Sequence, residues 1–230
     1  MKNNNKFRLD VWGAITLGTI ALYALFLLYP MAYLIRQSVL DPDTGGFTLA
    51  YFTKFFSKSY YFDTLINSFK VSITATVLSI AIGTPLAYLF TIFKIKGKSV
   101  LNILIVVASM SAPFIGAYSW ILLLGRSGVI TAFFKNLGIA IPDIYGFGGI
   151  VLVMTLQLFP LVFLYAKGAL KNIDNSLIEA AENLGCSGIA CFFKVVVPLI
   201  MPTLLAAALL VFMRSFADFG TPMLIGEGYR

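Results

Sequence analysis

The chain has 230 residues, of which 59% are hydrophobic and 12% charged, with a net charge of +7 and no histidine. This composition, with a positive mean hydropathy, excludes an ordinary soluble domain and fits one polytopic membrane domain; the basic residues sit beside apolar runs, where lipid-facing topology collects them, so no nucleic-acid partner is expected. The lack of histidine removes imidazole bases and imidazole metal sites, and Cys186 and Cys191 alone cannot build a structural zinc site, so both read as small apolar filler and no cofactor or metal is expected.

In chain order, residues 1–10 are polar and carry Lys2, Lys6 and Arg8. Residues 11–35 are free of charge and long enough to cross a bilayer, which takes about 20 residues. The apolar run is too long for a signal peptide and lacks a small-residue cleavage site, so it reads as a retained anchor with the N-terminus inside. Residues 36–63 read as a structured excursion with Asp41-Pro42 and Gly45-Gly46 turns. Its aromatics, among them Tyr51, Phe52, Phe55 and Tyr60, fit an interfacial belt or contact with an external partner.

The second span is expected at 71–93, with a kink at Gly83-Thr84-Pro85, because proline frees a backbone carbonyl. Lys94, Lys96 and Lys98 return the chain to the inner side. Gly97-Lys98-Ser99 is no phosphate-binding loop, since that pattern needs a glycine five positions before Gly97 and position 92 is Ile. The third span, 99–124, carries Ser109-Met110-Ser111-Ala112-Pro113 at its middle. Small hydroxyl residues and proline there fit close helix packing or a polar translocation path, with Ser111 and Pro113 as the path candidates. A loop over 125–145 precedes a fourth span, 146–166, which contains a further path candidate, Gln157, and Pro160. Lys167 and Lys171 then place the chain inside.

A cytoplasmic loop at 171–194 separates the fourth span from a fifth at 195–213. Ile173, Leu177, Ala181 and Leu184 recur at helical spacing and predict one apolar face. Ser176 and Glu179 have the form of a capping box, and Gly185 that of a helix stop. Ser187 can cap a second short helix carrying Phe192 and Phe193, with Pro198 opening the next apolar run. The stretch reads as helix, turn, helix docked on a membrane domain. After Arg214, residues 215–230 read as a polar, glycine-rich loop on the outer face, where Asp218 either meets a cationic substrate or caps a turn.

Glu179-Ala180-Ala181, then Gly185, Val195 and Val197-Pro198 at their spacings resemble the EAA loop of inner-membrane permeases of binding-protein-dependent ABC importers. Val195 and Val197 stand where that pattern has Ile and Leu. The resemblance implies a coupling helix seated in a groove of a cytoplasmic ATPase, carried here by Glu179, Ala180, Ala181, Leu184, Gly185 and Pro198. It implies an all-α helix bundle in the bacterial cytoplasmic membrane. The partners implied are an ABC ATPase dimer, an extracytoplasmic solute-binding protein and a second permease domain, besides the lipid bilayer. In that family the segment after the fifth span re-enters before a sixth, so 1–230 reads as a single transmembrane domain cut short, or as the N-terminal module of a longer permease. The inside placement of Glu179 from the loop charges alone agrees with it.

No Asp, Glu, Lys or Arg lies within the five spans as drawn, which argues against a secondary transporter driven by intramembrane carboxylates. No nucleophile has a base nearby, so the chain is not read as an enzyme; ATP hydrolysis is expected in a separate subunit. The tail SFADFGTPMLIGEGYR looks most like ferric-iron permeases, with polyamine, sulfate and phosphonate importers as alternatives. A secondary transporter and a membrane scaffold without transport are the rival classes.

Overall fold

The computed structural model describes residues 11–41, 45–93, 96–110, 112–139, 142–186 and 188–226. It divides into two compact units, Met1–Asp63 and Thr64–Arg230. In the first, α1 (Val11–Val39) is one apolar helix of 29 residues with no buried side chain. The hydroxyls of Thr16 and Thr19 donate back to the carbonyls of Trp12 and Ile15, at 2.8 and 2.9 Å, so these two hydroxyls are satisfied within the helix. A single π turn at Ala24–Leu28 interrupts it just before Pro30, and the Tyr29 amide donates to the Ala24 carbonyl. Leu40 and Phe47 then form an isolated antiparallel bridge, followed by α2 (Ala50–Ser57). The excursion expected over 36–63 is therefore largely helical. Its aromatics pack on one another, with Phe55 stacked on Tyr61 at 5.5 Å.

The boundary between the units falls within α3 (Ser59–Ile92), 34 residues long. It starts well before the expected residue 71, because hydropathy marks only the apolar part of a helix whose first turns are amphipathic. The expected span 99–124 is two helices, α4 (Lys98–Ser109) and α5 (Pro113–Leu124). Ala112 is extended (φ −69°, ψ 141°), as the residue before a proline tends to be, and Pro113 starts a new helix there. The region expected as loop after 124 contains α6 (Val129–Asn136). Next come α7 (Phe147–Lys171), α8 (Asn175–Asn183), α9 (Gly188–Phe216) and α10 (Gly220–Ile225). Among the described residues, five segments are long and apolar enough to cross a membrane: α1, α3, Phe114–Asn136, α7 and α9. The chain is an all-α polytopic membrane protein.

Two apolar clusters organise the second unit. Val71 and Ala75 of α3 meet Ile150 and Met154 of α7 in one; Ala87 and Phe90 meet Val162, Phe163 and Ala166 in the other. Helices α3 and α7 therefore run in the same direction. Helix α9 runs against them: its Phe192 and Val196 join the Phe163 cluster, while Ser215, at the other end, donates to the Met154 sulfur at 3.2 Å.

Helices α3 and α7 approach closely at Gly83. A Cβ there would stand 2.8 Å from the Val162 Cβ and 2.9 Å from the Phe159 carbonyl oxygen, so only glycine fits this contact. Pro85 and Pro160 lie within α3 and α7 on either side of it, both inside unbroken helix.

Gly83→Ala is expected to lower the thermal unfolding midpoint of the detergent-solubilised protein. The overpacking cost of about 1–3 kcal/mol outweighs a helix-propensity gain of roughly 1 kcal/mol. Gly168→Ala, on α7 where a Cβ meets nothing within 4 Å, is the control; equal midpoints for the two variants would refute the close-contact account.

Candidate functional site

The residues between α7 and α9 form a capped hairpin. Helix α7 ends at Lys171, and the Ile173 amide donates to the Leu170 carbonyl at 3.3 Å. Asp174 then opens α8. Its carboxylate accepts the Ser176 amide at 3.0 Å, and its carbonyl accepts the Leu177 amide at 3.1 Å. The cap is thus Asp174, in place of the expected Ser176–Glu179 box; Asp174 lies just ahead of the helix, where its carboxylate can reach the Ser176 amide, whereas Ser176 is already the second helical residue. The Ser176 amide, with the Ser176 hydroxyl second, holds the Asp174 carboxyl below the ordinary carboxylate range.

At the other end, the Cys186 amide donates to the Ala181 carbonyl at 3.0 Å and the Leu184 amide to the Ala180 carbonyl at 3.1 Å. Gly185 between them is left-handed (φ +83°), which gives the six-to-one bond of a Schellman stop. A Cβ at Gly185 would touch nothing. Backbone conformation alone requires glycine there.

The apolar residues of α8 do not share one face as their spacing from Ile173 predicts. Ile173 and Ile178 pack on the Phe163 cluster, whereas Leu177 and Leu184 point to solvent, Leu184 with 89% of its surface exposed. The reason is a phase reset: Ile173 belongs to the turn after α7, so helical spacing cannot be counted through it. Leu177, Ala180 and Leu184 recur at i, i+3 and i+7 and form an exposed apolar stripe, with exposed Glu179 beside it; Ala181 is half-buried. In the first turns of α9, Ile189 and Phe193 are also exposed. Phe192 turns inward onto the Tyr88 ring at 4.6 Å.

Pro198 is exposed at the start of the α-helical stretch Val197–Phe216 within α9, two residues after a π turn at Phe192–Val196, where the Val197 amide donates to the Phe192 carbonyl. The widened turn moves the preceding carbonyls out of the way of the proline ring, which is how one helix continues where two were expected. The expected Ser187 cap lies outside the described residues. Cys191 is buried and Cys186 partly so.

The path candidates fall in different places. Ser111 lies outside the described residues. Pro113 begins α5, and Gln157 is half-buried on α7 just before Pro160. Asp218 precedes α10, and its carboxylate accepts the amides of Gly220 and Thr221 at 2.9 and 3.2 Å and the Thr221 hydroxyl at 2.6 Å. The tail expected as a loop thus contains a short capped helix. A Cβ on Gly220 would stand 2.9 Å from the Phe114 ring, and the Gly146 amide donates to the Ile225 carbonyl at 2.8 Å. Helix α10 is thereby held between α5 and the start of α7. A groove of about 790 Å³ lies along α3 from Leu65 to Thr74, with Phe147; none of the path candidates lines it.

Residues 46–230 match the family described as binding-protein-dependent transport system inner membrane component. The chain is 28% identical over 232 residues to the ferric transport system permease protein FbpB of Actinobacillus pleuropneumoniae, covering 100% of this chain and 33% of that protein. It thus spans about a third of the length of that relative. It is 28% identical over 232 residues to the spermidine/putrescine transport system permease protein PotB of Haemophilus influenzae, covering 97% of this chain and 79% of that one. Among solved structures, a bacterial ABC transporter involved in the import of the acidic polysaccharide alginate superposes with a TM-score of 0.70 at 18% identity, over 94% of this chain and 77% of that chain. At that identity the likeness concerns the fold.

Because the folded-state pKa of Asp174 is depressed, its contribution to α8 is present above the ordinary carboxylate range and lost as pH falls through the lowered value. Amide exchange over 175–183, corrected for intrinsic rates, is expected to accelerate on acidification across that window. Asp174→Ala should show fast exchange at every pH, and a pH-independent wild type would rule out the cap. Gly185→Ala is expected to loosen the same helix by about 1–2 kcal/mol, the left-handed penalty for a residue with Cβ; unchanged exchange at Ala181 and Glu182 would contradict it.

Proposed function

We infer the function from one premise: the chain belongs to the family of binding-protein-dependent transport system inner membrane components. On that premise it is a multi-pass permease segment of an ATP-driven importer in the bacterial cytoplasmic membrane. A soluble binding protein delivers a small solute to its outer face, and a paired permease domain completes the path. A separate ATPase dimer hydrolyses ATP; this chain does not.

The observation that carries the reading is the α8 hairpin, an element fixed at both ends that offers Leu177, Ala180 and Leu184 outward with Glu179 alongside. An exposed apolar stripe on a rigid, capped helix fits a surface that another protein covers. In this role the stripe enters a groove of the ATPase, Glu179 meets a polar group at its rim, and Gly185 keeps the helix at a fixed length. Ile173 and Ile178 bind α8 to the cluster where α3, α7 and α9 converge. A push on α8 therefore reaches three membrane helices together, as rigid-body rocking requires.

Orientation follows from the charged ends. Lys96, Lys98, Lys167 and Lys171 share the side of α8, which we assign to the cytoplasm, with the N-terminus on that side. Asp218 is spent on capping α10, and we assign it a structural role beside the path, with Pro113 and Gln157 as lining candidates.

Ferric iron is the proposed solute, on the likeness to the FbpB relative and the tail sequence. A polyamine is the second reading, favoured because the PotB relative aligns over most of its own length.

Glu179→Ala and Gly185→Ala, each in the complete transporter, should reduce both ATPase co-purification and solute uptake by roughly tenfold, the scale of a typical coupling energy, with membrane insertion unchanged. Wild-type association and uptake in both variants would sink the coupling assignment. Uptake that persists without ATP would point to a secondary transporter, and ATPase stimulation without uptake to a scaffold. Radiolabelled ferric iron competed by unlabelled spermidine decides the solute: iron uptake insensitive to spermidine is expected, and spermidine uptake insensitive to iron would replace it with the polyamine reading.

A further inference from the structure

At the end of the bundle nearest α8, three lysines from two helices gather at one seam. Lys98 opens α4, while Lys167 and Lys171 lie one turn apart at the end of α7. The Lys167 ammonium donates to the Asn102 side-chain amide oxygen (Oδ1) of α4 and lies 5.4 Å from the centre of the Phe163 ring. Its charge is thereby held at the α4–α7 junction. Lys171 and Lys98 are both close enough to act on it electrostatically. Among the described residues, none of the three forms an ion pair with a carboxylate. The nearest acidic residue along the chain, Asp174, gives its carboxylate to Ser176. Like charges so placed repel one another, and an anion between them would relieve the repulsion.

The surface next to this cluster is apolar. Helix α4 has no buried residue, and Val100, Leu104 and Val107 are each more than half exposed, at 62%, 58% and 60%. A cationic cluster at the end of an exposed aliphatic helix complements a molecule with an anionic head and hydrocarbon chains. A soluble phosphate would satisfy the lysines and leave the apolar wall uncovered; a nucleotide loop is already excluded by the sequence.

We propose that the seam between α4 and the Lys171 end of α7 binds the headgroup of an anionic phospholipid, with Lys98, Lys167 and Lys171 around the phosphate and the acyl chains along α4. Lys167 has a second role, since its bond to Asn102 holds α4 on α7. A lipid seated there extends that clamp to Lys98 and steadies the two helices next to the α8 hairpin. The site stands apart from the importer reading, and it would hold whatever solute the chain carries.

The test uses the full-length permease reconstituted in nanodiscs of phosphatidylcholine and phosphatidylglycerol, released into mild detergent, with retained lipid counted by native mass spectrometry. The wild type should keep phosphatidylglycerol in excess of its bulk share. Lys98→Gln/Lys171→Gln should lose that enrichment by roughly tenfold, as expected for removing two cations beside a headgroup, and Lys98→Arg/Lys171→Arg should restore it. Lys54→Gln/Lys58→Gln removes the same charge elsewhere and should retain it. No enrichment in the wild type, or undiminished enrichment in Lys98→Gln/Lys171→Gln, would overturn the proposal. Displacement of the lipid by excess inorganic phosphate alone would overturn the lipid assignment in favour of a soluble anion.

Discussion

Within hydrocarbon, each backbone amide and carbonyl must find its partner inside the protein, yet this chain places Pro30, Pro85, Pro160, Pro198 and Pro202 inside its apolar helices. Each proline removes a donor and presses its ring on the carbonyl four residues back. Four of them are accommodated in two ways. Before Pro30 and again before Pro198, the helix widens into a single π turn that ends two residues short of the proline. At Pro85 and Pro160 it stays α-helical, and both prolines flank the Gly83 contact where α3 and α7 are pressed together. Buried hydroxyls of Ser79, Thr84 and Thr155, without a hydrogen-bond partner among the described residues, lie within a few residues of Pro85 and Pro160 along the same helices.

Tight packing at Gly83 gives the α8 hairpin something rigid to stand on. The cluster below it joins α3, α7 and α9 through the edge-to-face pair Phe90–Phe163, at 5.1 Å, and the buried side of Phe192. Ile173 and Ile178 rest on that cluster, so the hairpin is continuous with the bundle core. What it shows outward is then set by what it buries: with Ile178 and Ala181 turned in, Leu177, Ala180 and Leu184 have nowhere else to go.

The spans were legible because hydropathy sums over about 20 residues and tolerates local error. Their ends were not, since the amphipathic start of α3 carries no such excess. The break before Pro113 was marked by the proline, but the hydroxyl-rich run around it read equally well as helix packing. The α8 hairpin was legible as helix and stop from Glu179 and Gly185, while its face was misassigned because the periodicity was carried across the turn at Ile173. Asp174 announced the true cap, as an aspartate just ahead of the helix. Helix α10 was hidden by its shortness: six residues opening with Gly-Thr-Pro look like a loop, and the carboxylate of Asp218 and contact with Phe114 hold them as a helix.

The π turns also bear on how such a chain tolerates changes in length. A π turn holds one more residue than the α-helix around it needs, so each of the segments Ala24–Leu28 and Phe192–Val196 contains a surplus residue. Deleting one residue there would return the turn to α geometry with the downstream helix in its present register, at the cost of setting Pro30 or Pro198 against a carbonyl. Anywhere else in α1 or α9 the same deletion would turn everything beyond it by about 100°. Single-residue deletions in this protein should therefore be sorted by whether they fall on these two turns.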